Sequence, residues 1–198
     1  MKTLEYTKGR HPISLRNEKR WTAEECEALC EQGHIAEHYE LIEGKIIEDM
    51  RTSALHSLLV GLLLDVFAPL FGTSRVRIEG TIRLSEEVRQ KNLLVPDVSI
   101  TKEERRAYRE NPLPQDLLLV VEVADSSLRL DLSIKAHLYA NAGVVEYWVV
   151  DAIGRRVVVH RDPSSKGYQS VVEWSEEENV TTLAMPLIPI AVSDILPA

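Results

Sequence analysis

Two carboxylates interrupt the most apolar segments of this chain. Glu122 breaks the run Leu117-Leu118-Leu119-Val120-Val121-Glu122-Val123-Ala124, and Asp97 follows Leu93-Leu94-Val95-Pro96 and precedes Val98. An unpaired carboxylate buried in such a run costs several kcal/mol. A cation, a protonation shift or a bound metal must offset that cost, unless each acid lies at a strand end and points into water. Carboxylates are hard oxygen donors suited to Mg²⁺ or Mn²⁺. A metal held there would act as a Lewis acid and lower the pKa of a bound water. Lys135 is the third residue of interest. In a helix it shares a face with Asp131 and Tyr139, four residues to either side. That helix directly follows the Glu122 strand and should pack back on the sheet, so Lys135 can reach over the strand end. The alternative is a surface Asp131–Lys135 pair worth only about 0.3–0.5 kcal/mol.

Other site types lack their residues. The chain has no G-x-x-x-x-G-K-[ST] loop, no H-E-x-x-H and no G-x-S-x-G. Cys26 and Cys30 are its two cysteines, too few for a four-ligand zinc site without other donors. Tyr147 and Trp148 lie in a core strand pattern and are expected to pack against helices.

The elements that must position these residues are readable from punctuation and period. Thr22, followed by Glu24 and Glu25, reads as a helix start, with Gly33 closing the helix. Tyr39 to Ile47 reads as a hairpin turning at Glu43-Gly44. Leu55, Leu58, Leu59, Leu62, Leu63, Val66, Phe67 and Leu70 recur with helical period, closed by Pro69 and Gly72. Strands are expected over 76–84 and 93–100, a charged helix over 102–110, and a strand over 117–124 covered on both faces. A helix over 130–141 then leads to a strand over 146–150, parallel to the one before. Segments 155–160 and 168–174 alternate as a hairpin, and the Pro-rich end reads as an ordered loop with a short final turn.

The 198 residues suit one domain, expected over 21–198 behind a flexible arm, 1–20. That arm is basic (Lys2, Lys8, Arg10, Arg16, Lys19 and Arg20), whereas Glu173 and Glu176 to Glu178 make a later stretch acidic. Solvated surface is the expected reading of both. A net charge of −8 argues against strong unspecific grip on nucleic-acid phosphates, without excluding a local basic groove. No run approaches the roughly 20 apolar residues of a membrane span. The first 20 residues lack the apolar core of a secretory signal. A cytoplasmic location without membrane contact is therefore expected.

Six segments stand in order along the chain: Tyr39-Glu40-Leu41-Ile42-Glu43-Gly44, His56 opening the leucine-rich helix, Pro96-Asp97-Val98, Glu122 to Leu128, Asp131 with Lys135 and Tyr139, and Gly143 to Asp151. Together they resemble the Uma-type restriction endonuclease family of the PD-(D/E)XK, or restriction-endonuclease-like, superfamily. The resemblance runs from about Trp21 to the end. It implies an α/β fold: a restriction-endonuclease-like core with a mixed central β-sheet flanked by helices, extended by an N-terminal helix and hairpin. It implies that Asp97 and Glu122 bind Mg²⁺ or Mn²⁺, with Glu43 as an auxiliary metal or water ligand. The superfamily's usual lysine position is Ala124 here, and Lys135 on the next helix fits that role instead. His56 is similar to a family position near the site, or is a helix-start histidine bonded to backbone. Asp131 orients Lys135 or caps the helix. The implied activity is metal-dependent hydrolysis of DNA phosphodiester bonds leaving a 5′-phosphate. A homodimer is expected on separate grounds, since cutting two antiparallel strands is easiest with two sites related by a two-fold axis. The alternative is an inactive protein of the same fold serving as a binding or assembly module.

Overall fold

The computed structural model describes residues 18–48 and 53–197. Nearly all of the expected N-terminal arm, including Lys2, Lys8, Arg10 and Arg16, lies outside the described residues. Helix α1 (Ala23–Glu31) begins where the sequence says it should. Thr22 accepts from the Glu25 N–H and the Glu25 side chain accepts from the Thr22 N–H, a reciprocal capping box. Strands β1 (Tyr39–Ile42) and β2 (Lys45–Glu48) pair across Glu43 and Gly44. Both turn residues have positive φ, 50° and 76°, the conformation a two-residue hairpin turn needs.

The core of the molecule is a six-stranded sheet in the order β3-β4-β5-β6-β7-β8. Its strands are β3 (Val76–Ile78), β4 (Val98–Thr101), β5 (Leu117–Ala124), β6 (Glu146–Asp151), β7 (Arg156–Ser164) and β8 (Gly167–Ser175). Only β5 and β6 run parallel, with Glu122 opposite Val149. Every other neighbour pair is antiparallel.

Helices cover both faces. Helix α2 (Ala54–Phe71) buries Leu59, Leu63, Phe67 and Phe71 on one face, with Val98, Val121, Trp148 and the 3₁₀ turn Val192–Ile195. Against the expectation that no segment approaches a membrane span, α2 passes as one by length and composition alone. Here it is a core helix, its buried stripe seated on the sheet. Pro69 lies inside its last turn rather than ending it, and Gly72, at φ 87°, ends it instead. The short helix α3 (Glu86–Arg89) precedes β4, and the other face is covered by α4 (Leu128–Leu130), a π-helical turn (Asp131–Lys135), α5 (Ala136–Ala142) and the β1–β2 hairpin. Trp148 packs on Phe67 in the core, as expected.

Three expected elements are shorter than their patterns suggest. The charged stretch 102–110 forms only a 3₁₀ turn at Arg105–Ala107. Its backbone is bonded elsewhere: Lys102 N–H to the Asp116 carbonyl and Arg105 N–H to the Ser74 carbonyl. With no apolar stripe to bury, a helix there gains nothing in return. Strand β3 stops at Ile78 because Glu79, at φ 48°, turns the chain. Strand β4 starts only at Val98, after Pro96, which has no N–H for a ladder. Short strand β10 (Ile190–Ala191), inside the Pro-rich end read as loop, pairs with β9 (Asn179–Val180), which precedes that end.

Candidate active site

The β4–β5 ladder pairs Val98 with Val121, so one step further Asp97 stands opposite Glu122. The two acids that interrupt separate apolar segments are thus cross-strand neighbours. Both are buried, at 4% and 3% exposure. One Asp97 carboxylate oxygen accepts from the Val123 N–H at 2.7 Å. The other lies 3.3 Å from His56 Nε2. Burial opposes ionisation of Asp97, but these two bonds outweigh it and hold the carboxyl below its ordinary range. His56 reaches this position from the first turn of α2, where Ser53 Oγ accepts the His56 N–H and donates in turn to Asp125 at 2.7 Å.

Glu122 meets a different environment. Its Oε1 accepts from Tyr139 Oη at 2.7 Å and lies 3.1 Å from Lys135 Nζ. Lys135 is itself buried and also reaches Glu40 at 2.7 Å and Asp131 at 3.7 Å. Burial works against the ammonium, yet Glu122, Glu40 and Asp131 outweigh it and raise its pKa, so Lys135 stays charged. Burial raises the Glu122 pKa well above normal, with Asp97, Glu40 and Asp131 adding to the effect against Lys135. Burial likewise raises Asp131, against Lys135 and a bond from Ser127 Oγ.

The local fold explains why one helical segment supplies Asp131, Lys135 and Tyr139. Asp131 and Lys135 bound the π-helical turn, and Tyr139 continues on the same face in α5. Tyr147 Oη from β6 donates to the Asp131 carbonyl at 3.0 Å and pins this turn to the sheet. π turns are rare and recur at functional sites.

The structure therefore gathers Asp97, Glu122, Lys135, His56 and Asp131, and it does not gather Glu43. Glu43 occupies the exposed turn of the β1–β2 hairpin. Its backbone, not its carboxylate, makes the contacts there: its N–H donates to Asn92 Oδ1 and its carbonyl accepts from Arg20. The acid that reaches the cluster from this hairpin is Glu40, which bonds the Val95 N–H at 3.0 Å as well as Lys135. A signal was present in the sequence. Glu-Gly at the centre of a hairpin takes the two turn positions, so an inward-facing acid must come from the strand before it. Tyr139, whose hydroxyl holds Glu122, was legible only as a member of the lysine's helical face.

A cavity of about 150 Å³ opens onto Glu40, His56, Asp97, Glu122, Asp125 and Lys135. Among the described residues, no three His, Cys, Asp or Glu side chains are gathered closely enough to hold an ion by themselves. The protein's share of a metal shell would accordingly be the Asp97–Glu122 pair. That share fits Mg²⁺ chemistry, in which one or two carboxylates suffice and waters complete the shell. The charge balance fits too. Glu40, Asp97, Glu122 and Asp131 face one buried ammonium, and the neighbouring carboxylates add to the burial that raises the Glu122 and Asp131 pKa values.

Comparison with known proteins agrees with this architecture. A crystal structure described as "a putative nuclease belonging to DUF820", from Anabaena variabilis, superposes with a TM-score of 0.65 at 17% identity, over 88% of this chain and 96% of that one. No curated protein matches the chain. The model of the Uma2 family, described as "Putative restriction endonuclease", matches residues 23–193, and the chain belongs to that family.

Proposed function

We propose that this chain is a metal-dependent nuclease that hydrolyses DNA phosphodiester bonds at the Asp97–Glu122 pair. The observation that carries the reading is the convergence of two cross-strand carboxylates and a buried, charged lysine on one open cavity. The descriptions of the family and of the Anabaena protein point the same way. Mg²⁺ or Mn²⁺, when bound, would supply Lewis-acid polarisation of the phosphate and a water of lowered pKa. Asp97, held ionised by His56 and Val123, and Glu122, held in place by Tyr139, would be its protein ligands. Lys135 has three N–H donors and spends two on Glu40 and Glu122. The third can meet the charge that develops on a phosphate oxygen. Glu40 and Asp131 keep the ammonium protonated and aimed. His56 fixes one Asp97 oxygen, leaving the orientation of that carboxylate little freedom.

The test is incubation of the purified protein with supercoiled plasmid and Mg²⁺ or Mn²⁺, beside Asp97→Asn and Lys135→Ala. Wild type should nick or linearise the DNA, leaving 5′-phosphates, and both variants should lose at least about a hundredfold in rate. If wild type cuts no nucleic acid faster than the variants do, the reading fails. The net charge of −8 and the tight Glu40–Lys135 contact favour a second reading, a binding module that has kept the fold. Titration calorimetry with Mn²⁺ separates the two, since a module of that kind would show no heat of ion binding. Homodimerisation, which would set two such sites against antiparallel strands, is checked by sedimentation velocity with and without duplex DNA.

A further inference from the structure

Strand β3 is an edge of the sheet, and it carries Arg75 just before it and Arg77 within it. Arg77 pairs with Ser99, and Ser99 pairs with Val120, which lies in the same core as Tyr139. Two residues on from Val120 is Glu122. By strand alternation, then, Arg77 lies on the active-site face of the sheet. Two strands at about 4.8 Å and two residues at about 3.4 Å separate the Cα atoms of Arg77 and Glu122 by roughly 12 Å. That is three to four steps of the 3.4 Å rise along one nucleic-acid strand.

The arginines here lack acidic partners. In a chain of net charge −8, Arg75, Arg77 and Arg105 have no carboxylate within ion-pair distance among the described residues, whereas nearby Arg83 and Arg106 pair with Glu110 and Glu104. Arg77 donates to Asn111 Oδ1 at 3.2 Å, and its Nε is buried without a partner among the described residues. Arg105 donates to the Val76 carbonyl at 3.2 Å, beside Arg77. Burial, and then the charge of Arg105, pushes the Arg77 pKa down, as expected for like charges with no acid between them. Gly80 makes room for the Arg77 guanidinium: a Cβ there would stand 2.8 Å from its Nε. The group is thus seated by its surroundings, with most of its five donors unspent.

We infer that Arg77 and Arg105, flanked by Arg75, form a phosphate-binding track at the β3 edge that holds a nucleic-acid backbone as it leaves the acid pair. This deepens the nuclease reading and rests on it for the identity of the strand. Arg77 and Arg105 are positioning residues, not catalytic ones.

The test is anisotropy titration of labelled 20-mer duplex and single-stranded DNA in EDTA, over a salt series, alongside the plasmid assay. The log of the binding constant falls with log salt by about 0.9 per phosphate neutralised. Arg77→Ala/Arg105→Ala should therefore reduce that slope by about 2, and shrink the affinity lost between 50 and 200 mM salt by roughly tenfold. Gly80→Ala meets only the mobile end of a side chain, so it should displace Arg77 without unfolding the protein and reduce the slope by about 1. Asp97→Asn should cut no DNA yet keep the wild-type slope. Wild-type slopes in both arginine-site variants, from a protein that binds and cuts, would overturn the track and leave the nuclease reading intact. An arginine-dependent slope without any cleavage would keep the track and remove the nuclease. No binding by wild type would overturn the track outright, whatever the plasmid assay shows.

Discussion

At the scale of single residues, the site is an excess of buried negative charge balanced on one ammonium. Removing that ammonium should therefore cost more than removing a carboxylate. Lys135→Met leaves Glu40 and Glu122 buried without their cation, and breaking a buried pair from one side costs about 3–5 kcal/mol. Urea denaturation should show this loss. Lys135→Met combined with Glu40→Gln should be less destabilised than Lys135→Met alone, because one stranded charge goes with it. A double variant no more stable than the single one would mean that Glu40 and Lys135 are not coupled. Tyr139→Phe removes one hydrogen bond to Glu122 and should cost about 1–3 kcal/mol, read by the same denaturation.

At the scale of elements, what matters is which strand or turn delivers each group. The β1–β2 hairpin delivers Glu40 only while its two-residue turn holds register. Gly44, at φ 76°, also packs so closely that a Cβ would stand 3.1 Å from the Trp21 carbonyl. Gly44→Ala should cost more than about 1 kcal/mol in thermal or urea melts, and should weaken cleavage through Glu40. Full stability in that variant would show the turn to be adaptable. Elements with a strong period or clear punctuation were legible in advance: α1 through its capping box, α2 through its leucine stripe, β5 through its apolar run. Asp97 and Glu122 were legible for the same reason, as charges in places whose pattern demands burial, and Lys135 through the helical face it shares with Asp131 and Tyr139. The stretch 102–110 was not, because tertiary hydrogen bonds to Asp116 and Ser74 decide its backbone and no local pattern encodes them. Glu43 came from the family resemblance and not from geometry, and only the turn geometry tells the inward acid, Glu40, from the outward one.

At the scale of the whole molecule, the sheet separates two buried faces, and the proposed site lies where β4 and β5 meet. A second buried titratable group tests how well the far end of the sheet is sealed. His160 in β7 lies between Tyr147 and Tyr168, with ring centroids 5.2 and 5.6 Å away. Burial lowers its pKa below 6.5, against backbone bonds at Tyr147 and Val158. The unfolded chain therefore takes up its proton at higher pH than the fold does. Stability from this group is complete above about pH 6.5 and is lost as the pH falls toward the depressed folded value. Melting temperatures between pH 7.5 and 5.5 should decline less in His160→Phe than in wild type, and equal declines would place the imidazole in water. The account as a whole depends on the acid pair sharing one ion, and a Mn²⁺-soaked crystal with anomalous diffraction tests that most directly. We expect one peak within coordination distance of both Asp97 and Glu122, lost in Asp97→Asn. A fully soaked crystal with no peak between those carboxylates would contradict it.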